Sequence, residues 1–362
     1  MKKRIIILCV YPQDRVPGLR FRIEQYLPVL EQAGFEITFS SLFSTWEYAR
    51  FTAKGNTVLK AWLVLKGFFR RLFQCITIGK YDVGFIYREV FVAGPAWFEK
   101  FITKRIPCVY DFDDAIWLQN VSVENRKFAF LKNTGKISTI ISRCKTVVAG
   151  NEFLAKYALQ FNHNVHIIPT TIDTQKYHCT KRKTDERVCI GWSGSADTIR
   201  FFKLALPALV KVQQRFGQGV YFKIIGDKNY YCAELQTKAI AWNAVAEVSD
   251  LCEIDIGIMP LLNDDWARGK CALKGLQYMS LGIATVMAPA GVNSEIITDG
   301  VNGFLTSTDD EWVEKISLLV TNASLRKQLG DKGKQTVIEH YSVLANKEKW
   351  VAAFRRDEII ES

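Results

Sequence analysis

The sequence predicts two α/β domains, each built on an open parallel sheet. The 362 residues are more than one ordinary core holds. Short apolar, β-branched runs alternate with longer segments of helical period, which is typical of βαβ units. The alternation starts again in the second half, with no short repeat that would indicate a solenoid. We therefore expect a ligand cleft between two sheets, at the carboxyl ends of their strands.

The first predicted domain covers residues 1–170. Its helical period over 19–33 ends at Gly34, a natural C-cap glycine. Its predicted strands are 4–10, 35–40, 83–87, 108–110, 146–150 and 166–168.

The second predicted domain covers residues 171–342, after a connection formed by 169–173 and the polar run 180–187. We expect the last helix, within 343–362, to pack back on the first domain. The predicted strands of the second domain are 188–191, 221–225, 256–260, 284–288 and 303–305.

Composition and charge narrow the class of protein. The chain is 48% hydrophobic, which excludes disordered and fibrous classes. It carries 48 Lys and Arg against 37 Asp and Glu, a net charge of +11. This excess indicates an anionic partner: a phosphate ligand, a membrane surface or a nucleic acid. No sequence motif of nucleic-acid recognition is present, so we expect no nucleic-acid partner.

The cysteines and the amino-terminal segment indicate a cytoplasmic protein. The nine cysteines are scattered and form no C-x-x-C pair, which fits a reducing compartment. The basic start and short apolar run end at Tyr11-Pro12, before a signal peptide would be complete. No stretch approaches the roughly 18 to 20 apolar residues of a spanning helix.

Residues 48–81 contain seven basic side chains and no acidic one. Such a segment is typical of an interfacial helix on anionic lipid, so we expect residues 54–76 to contact the inner face of the cell membrane. The alternative is a domain helix whose apolar face packs on the sheet. The apolar residues that share one helical face are Val58, Trp62, Leu65, Phe69, Leu72, Phe73 and Ile76.

Several segments together resemble family 4 glycosyltransferases. The strongest are CEIDIGIMPL at 252–261, WARGKCALKGLQYM at 266–279 and GIATVMAP at 282–289. Weaker ones are YDFDDA at 110–115, IPTTID at 168–173, GVNSEII at 291–297 and NGFL at 302–305.

This resemblance implies a GT-B fold, in which two Rossmann-like domains face each other. It implies that a nucleotide-sugar donor binds the second domain and an acceptor mainly the first. It further implies retention of the anomeric configuration, with no cofactor and no required metal.

Three cations lie at a loop-to-helix entry within the strongest segment. Lys270 and Lys274 are four residues apart and share a helix face, with Arg268 just before them. A diphosphate fits such a site, where fixed cations stabilise the leaving group's charge. We assign Arg268 and Lys270 as catalytic and Lys274 as donor-binding; the alternative is a solvated basic helix start.

The chain departs from the family at two glutamate positions. By our alignment Gly269 and Gln277 occupy them. An amide still hydrogen-bonds a ribose hydroxyl, so Gln277 is assigned to the donor, without a carboxylate's charge-assisted bond. Glu295, in the 291–297 segment, is assigned to the donor through the resemblance.

The turn at 191–195 follows a predicted strand and precedes a helical run. Its small residues let backbone N–H groups approach a phosphate, so Ser193 and Gly194 are assigned to the donor. An ordinary tight βα turn is the alternative.

In the first domain, the loop at 11–18 resembles the family's glycine loop, with Gly18 as its one glycine. Gly18 is assigned to the donor, and Arg20 or Arg22 to the phosphate or acceptor side. Asp113, after the strand at 108–110, is assigned as catalytic: it orients the acceptor hydroxyl or takes its proton. We expect no metal site among the neighbouring acids.

We therefore predict a retaining glycosyltransferase of the hexosyltransferase type, acting on a glycan or lipid-linked acceptor in surface polysaccharide or glycoconjugate assembly. One alternative is a nucleotide-sugar epimerase or hydrolase on the same fold. Another is a non-catalytic protein that binds polyanions or membranes. A dehydrogenase is disfavoured because no G-x-G-x-x-G follows the first strand.

Overall fold

The computed structural model describes residues 2–118, 135–179, 185–195 and 198–355. The chain divides into two compact units. The first unit comprises Met1–Pro169 with Asn346–Ser362, and the second comprises Thr170–Ala345.

The first unit is built on a six-stranded parallel sheet with the strand order β2-β1-β3-β4-β5-β6. Strands β3, β4 and β5 are buried along their whole length. Strands covered on both faces have continuous apolar sequences, and for this reason they could be predicted from the sequence. The strands are β1 (Lys3–Cys9), β2 (Phe35–Ser41), β3 (Val83–Tyr87), β4 (Cys108–Phe112), β5 (Thr146–Ala149) and β6 (Val165–Ile167).

Seven described helices connect these strands. The single helix expected over 19–33 is wrong: two short helices flank a 3-10 turn at Glu24–Tyr26. Pro28 lies in the first turn of the second, where its missing N–H costs little. The helices are α1 (Pro17–Arg22), α2 (Leu27–Gln32), α3 (Thr45–Thr52), α4 (Thr57–Thr77), α5 (Trp97–Arg105), α6 (Gly135–Arg143) and α7 (Glu152–Ala158).

Helix α4 buries a narrow stripe rather than its apolar face. The buried residues recur every four positions at Leu63, Gly67, Arg71 and Cys75. The Arg71 guanidinium donates to the carbonyl oxygens of Cys9 (2.6 Å) and Val90 (3.0 Å), which ties α4 to the end of β1 and to the loop after β3. Arg71 is therefore not part of the basic surface, contrary to the sequence-based grouping.

All seven apolar residues predicted to share one face of α4 are exposed. The alternative that this face packs on the sheet is therefore wrong. A 3-10 turn, Ile78–Lys80, follows the helix.

The second unit repeats the architecture with the strand order β12-β11-β10-β7-β8-β9, all parallel. Strand β9 was not predicted, because this short, half-exposed strand has no apolar run. The strands are β7 (Val188–Ser193), β8 (Val220–Ile225), β9 (Thr237–Ile240), β10 (Ile256–Met259), β11 (Ala284–Met287) and β12 (Phe304–Leu305).

The helices of the second unit pack on both faces of its sheet around a core that includes Trp192, Phe202 and Trp312. Two parallel sheets with flanking helices confirm the predicted fold class. The last helix begins in the second unit and ends in the first. The helices are α8 (Ile199–Phe202), α9 (Leu206–Phe216), α10 (Glu247–Leu251), α11 (Asp265–Arg268), α12 (Leu273–Ser280), α13 (Asn293–Ile296), α14 (Asp309–Thr321), α15 (Ala323–His340) and α16 (Val343–Arg355).

One pair of cysteines is joined. Cys179 and Cys252 form a disulfide, with Cα atoms 5.7 Å apart, across 73 residues of sequence. This departs from the expectation of thiols in a reducing compartment, and scattered spacings gave no indication of the pairing. The other seven cysteines form no disulfide within the described residues and are buried.

Within the described ranges, no helix combines the length and apolar character needed to cross a membrane.

Candidate active site

In the first unit, the carboxyl ends of β3 and β4 bring Tyr87, Arg88 and Asp113 together. Oδ1 of Asp113 accepts from the Tyr87 hydroxyl at 2.8 Å. The same oxygen accepts from Arg88 Nε at 2.9 Å and Nη2 at 2.7 Å. Neighbouring parallel strands end at the same sheet edge, so residues far apart in sequence meet there.

The charge of Arg88 determines what Asp113 can do. Burial alone would raise the pKa of Asp113, but the charges of Arg88 and Arg22, with the hydrogen bonds from Arg88 and Tyr87, together hold this pKa below its usual value. A carboxylate of lowered pKa is a weak base. The arrangement therefore favours orienting a hydroxyl over taking its proton.

Gly18 lies directly against this cluster. A Cβ atom at Gly18 would be 2.0 Å from the Tyr87 hydroxyl and 2.5 Å from Oδ2 of Asp113. Only a residue without a side chain fits this position. The structure thus brings Gly18 and Asp113 together, as two of the predicted site residues.

A buried ion pair positions the helix that carries Gly18. Nη2 of Arg22 is 2.5 Å from Oδ1 of Asp111, and both side chains are fully buried. Nη1 of Arg22 also donates to the Ile168 carbonyl. Arg22 therefore does not reach a ligand, and its assignment to the phosphate or acceptor side is wrong.

Arg20, on the same helix, is partly buried. Its guanidinium carbon lies 5.2 Å from the centroid of the Phe21 ring. Its charge also acts on Glu24, whose pKa burial raises to about 7.

In the second unit, Lys274 lies in the first turn of α12 and stacks on an aromatic ring. Its Nζ is 4.6 Å from the centroid of Trp192, at the end of β7. Nζ of Lys270 lies 4.3 Å from the ring of Trp266. Both lysines were predicted site residues, and their charges interact in the structure. The predicted shared helix face is wrong, because Lys270 lies in the loop before α12 and only Lys274 is on the helix.

The ammonium group of Lys274 meets no anion in the part of the chain that the structure describes. Within the described residues, neither a hydrogen bond nor an ion pair reaches its ammonium group. Burial, with the charge of Lys270 nearby, lowers the pKa of Lys274 to about 7. Removing an ammonium group from water without a partner is costly, so a bound anion would relieve that cost.

The start of α12 offers further attraction for an anion. Its N-cap, Ala272, has φ +53° and gives no side-chain hydrogen bond to the first turn. A left-handed conformation is uncommon for alanine, and such outliers cluster at functional sites. Uncapped helix N-termini attract negative charge.

Arg268 differs from the two lysines. Its side chain is half-exposed and pairs with Asp265 at 3.2 Å, one turn earlier on α11. Its backbone lies against Gly291, where an added Cβ would be 3.1 Å from the Arg268 Cα. The loops after β10 and β11 thus adjoin at Arg268.

Backbone N–H groups at the end of β7 and in the turn after it donate hydrogen bonds within the protein. The N–H of Ser193 donates to the Tyr278 hydroxyl (2.8 Å), and that of Gly194 to the Ile225 carbonyl (2.9 Å). The N–H of Ser195 donates to Thr198 Oγ1 at 2.9 Å. These three N–H groups therefore do not form the expected phosphate cradle in this structure. The donor assignment of Ser193 and Gly194 stays a prediction.

Gln277 is buried among polar groups that sequence reasoning missed. Its Nε2 donates to the Tyr177 hydroxyl (3.1 Å) and to Oε1 of Glu247 (3.2 Å). Glu247 also accepts from Tyr177 (2.6 Å) and from the Trp242 indole (2.9 Å). No sequence signal marked Glu247, because no spacing links it to Gln277.

Glu295, the remaining predicted donor residue, is exposed on the short helix α13. Its role stays a prediction. The described part of the chain has no group of three His, Cys, Asp or Glu side chains able to hold a metal ion.

Comparison with solved structures identifies the fold. A glycosyltransferase from Rickettsia africae ESF-5 aligns over 98% of this chain and 99% of its own, with a TM-score of 0.68 and 14% identity. HepE from Anabaena, solved with UDP and glucose, gives a TM-score of 0.63 at 15% identity, covering 98% of this chain and 99% of its own. The chain has the GT-B fold.

A third structure supports this GT-B assignment. Sucrose-phosphate synthase from Thermosynechococcus elongatus aligns with a TM-score of 0.69 at 9% identity, again over 98% and 99% of the two chains. The family model described as "Glycosyl transferases group 1" matches residues 187–322, which contain the lysine site. A search of curated proteins found no match. Together these findings support a GT-B glycosyltransferase.

The sequence analysis missed two members of the first-unit cluster formed by Tyr87, Arg88 and Asp113. Tyr87 and Arg88 were not assigned, although Tyr87 ends a predicted strand beside the one that precedes Asp113, and Arg88 follows it. Their position at a strand's carboxyl end was the available signal.

We predict that Gly18→Ala destabilises the protein by about 1–3 kcal/mol, because the added methyl displaces Tyr87 and Asp113. Gly79→Ala is the matched control, since its Cβ would meet nothing within 4 Å. Urea denaturation of both variants measures the difference. Equal stabilities would contradict the close approach at Gly18.

Proposed function

We propose that this chain is a retaining family 4 glycosyltransferase that moves a sugar from a nucleotide-diphosphate sugar to a glycan or lipid-linked acceptor. We place this reaction in surface polysaccharide or glycoconjugate assembly. The observation that carries the proposal is the ammonium of Lys274 at the start of α12, which is partly buried and has no partner among the residues that the structure describes. A diphosphate supplies the negative charge that this site lacks.

The lysines have a chemical role in this reaction. When the glycosidic bond to the donor breaks, the nucleoside diphosphate leaves with growing negative charge. Cations fixed by stacking on Trp192 and Trp266 are already in place to stabilise that charge. Lys270 and Lys274 then supply the positive charge that a metal ion would otherwise supply, so we propose that no metal ion is required.

Known structures of the same fold support the choice of donor. HepE was solved in complex with UDP, with UDP and glucose, and with UDP-glucose. These ligands are those of HepE. They make a uridine nucleotide the first donor to test here.

We propose that the first unit binds the acceptor through Asp113. Its carboxylate is held by Tyr87 and Arg88 and accepts a hydrogen bond from the acceptor hydroxyl, orienting it. Since Arg88 lowers the pKa of Asp113, another group takes the proton. In a retaining transfer, an oxygen of the departing phosphate is available for this.

We further propose that α4 holds the protein on an anionic membrane. Phe69, Phe73 and Ile76 are 58%, 68% and 75% exposed, although such residues are usually buried. No acidic residue lies between positions 48 and 81. An exposed apolar face beside cationic side chains suits an interface of anionic headgroups and acyl chains.

We predict that Lys274→Met weakens donor binding about 10- to 100-fold, because it removes a charged contact to the diphosphate. The measurement is a thermal-shift screen of both proteins against UDP, GDP, ADP, TDP and their sugars, followed by calorimetry. Lys315→Met is the matched control, since Lys315 also stacks on an aromatic ring, Phe304.

Nucleotide shifts that are equal in wild type and Lys274→Met would contradict the assigned role of the lysine. No shift with any nucleotide would favour the non-catalytic alternative. Breakdown or isomerisation of the donor without an acceptor would favour the epimerase or hydrolase alternative.

We predict that a Phe69→Ser, Phe73→Ser double variant loses at least about tenfold in binding to anionic vesicles, because two rings no longer enter the lipid. Cosedimentation with vesicles containing phosphatidylglycerol measures this. The matched control is Val245→Ser with Leu262→Ser, which alters two exposed apolar residues of the second unit. Unchanged vesicle binding by the phenylalanine variant would contradict the membrane proposal.

A further inference from the structure

The side-chain amide of Gln277 lies beside two hydrogen-bond acceptors. The Tyr177 hydroxyl donates its one hydrogen to Oε2 of Glu247 at 2.6 Å, so toward Gln277 it can only accept. Oε1 of Glu247, 3.2 Å from Nε2 of Gln277, also accepts. Chemistry therefore fixes the orientation of this amide: its NH2 group faces Glu247 and Tyr177.

The carbonyl oxygen of Gln277 consequently points away from both groups. Among the described residues no hydrogen bond reaches this oxygen, and it is not among the fully buried, unsatisfied atoms. It is an acceptor with a fixed direction. Gln277 lies one turn beyond Lys274 on α12. Lys274 is in the first turn of this helix, and Lys270 lies in the loop before it.

The negative charge of Glu247 also explains why position 277 carries an amide and not a carboxylate. Glu247 is 6% exposed and accepts from three side chains: Trp242, Tyr177 and Gln277. A glutamate at 277 would place a second carboxylate against it, which is costly in a buried site. Glutamine donates to Glu247 with one end of its amide and still presents an acceptor with the other.

The disulfide links the segments that carry this network. Cys179 follows Tyr177 by two residues, and Cys252 follows helix α10, which begins with Glu247. The bridge holds the two backbones together beside the network. The amide of Gln277 thus rests on a fixed support.

We propose that Glu247 is a positioning residue, which fixes the Gln277 amide so that its oxygen accepts a hydrogen bond from a ribose hydroxyl of the donor nucleotide. This inference rests on the proposed function, because it takes the nucleotide to be bound at the start of α12. Glu247 acts through Gln277 and does not itself touch the ligand.

The test combines a charge exchange with ligands that lack one hydroxyl. UDP, 2′-deoxy-UDP, 3′-deoxy-UDP and inorganic pyrophosphate are titrated calorimetrically into wild type, Glu247→Gln, Gln277→Glu and the double exchange. We expect wild type to bind UDP about tenfold more tightly than at least one deoxy analogue. Glu247→Gln loses this discrimination and keeps its pyrophosphate affinity within about twofold.

The double exchange is the decisive variant. Gln277→Glu alone weakens UDP binding, since two carboxylates then adjoin. Combining it with Glu247→Gln leaves one carboxylate in the network, now at position 277, and this group still presents an acceptor to the ligand. We therefore expect the discrimination between UDP and the deoxy analogue to return. Glu99→Gln is the matched control: it removes a buried, hydrogen-bonded carboxylate of the first unit. This control leaves UDP binding unchanged.

Three results would overturn the inference. Glu247→Gln with wild-type discrimination would show that Glu247 does not position the amide. Equal losses for UDP and pyrophosphate would indicate a merely structural role, as would a double exchange that rescues nothing. Wild-type protein that binds none of these ligands and none of the nucleotides in the thermal-shift screen would instead overturn the proposed function, and this inference with it.

Discussion

The donor site depends on the charge of Lys274, whose ammonium group is partly buried and meets no anion among the described residues. Other buried charges are compensated: Arg22 pairs with Asp111, and Lys223 with Glu253. Lys274 instead stacks on Trp192, and burial lowers its pKa to about 7. A site of this kind gains most from an anionic ligand, since binding restores the stability that burial removed.

The surrounding fold keeps that cation in place. Tyr278, one turn beyond Lys274, accepts a hydrogen bond from the N–H of Ser193 at the end of β7. Gly257 makes room for this ring, because an added Cβ would be 2.5 Å from it. Helix α12 is thus fixed to two strands of its sheet. Rigid support of this kind is what electrostatic stabilisation of a leaving group requires.

Features that depend on local sequence pattern could be predicted from the sequence. Contacts between residues far apart in the sequence could not. Buried strands such as β3 and β10 are apolar runs, so their positions were predictable. Lys270 and Lys274 were predicted as site residues from their motif, but the predicted shared helix face is wrong, because Lys270 lies in the loop before α12. The partnership of Glu247 with Gln277 and the Cys179–Cys252 disulfide join segments that no spacing connects. The half-exposed edge strand β9 lacked the apolar signal altogether.

The most direct measurement is an NMR titration of the Lys274 side chain, with selective 13C labelling and Lys274→Met for assignment. The account predicts a pKa near 7 in the free protein, well below the usual value for lysine. It predicts a rise of at least about one unit when the nucleoside diphosphate is bound, because the charged form is then favoured. An ordinary lysine pKa in the free protein, unchanged by the nucleotide, would contradict it.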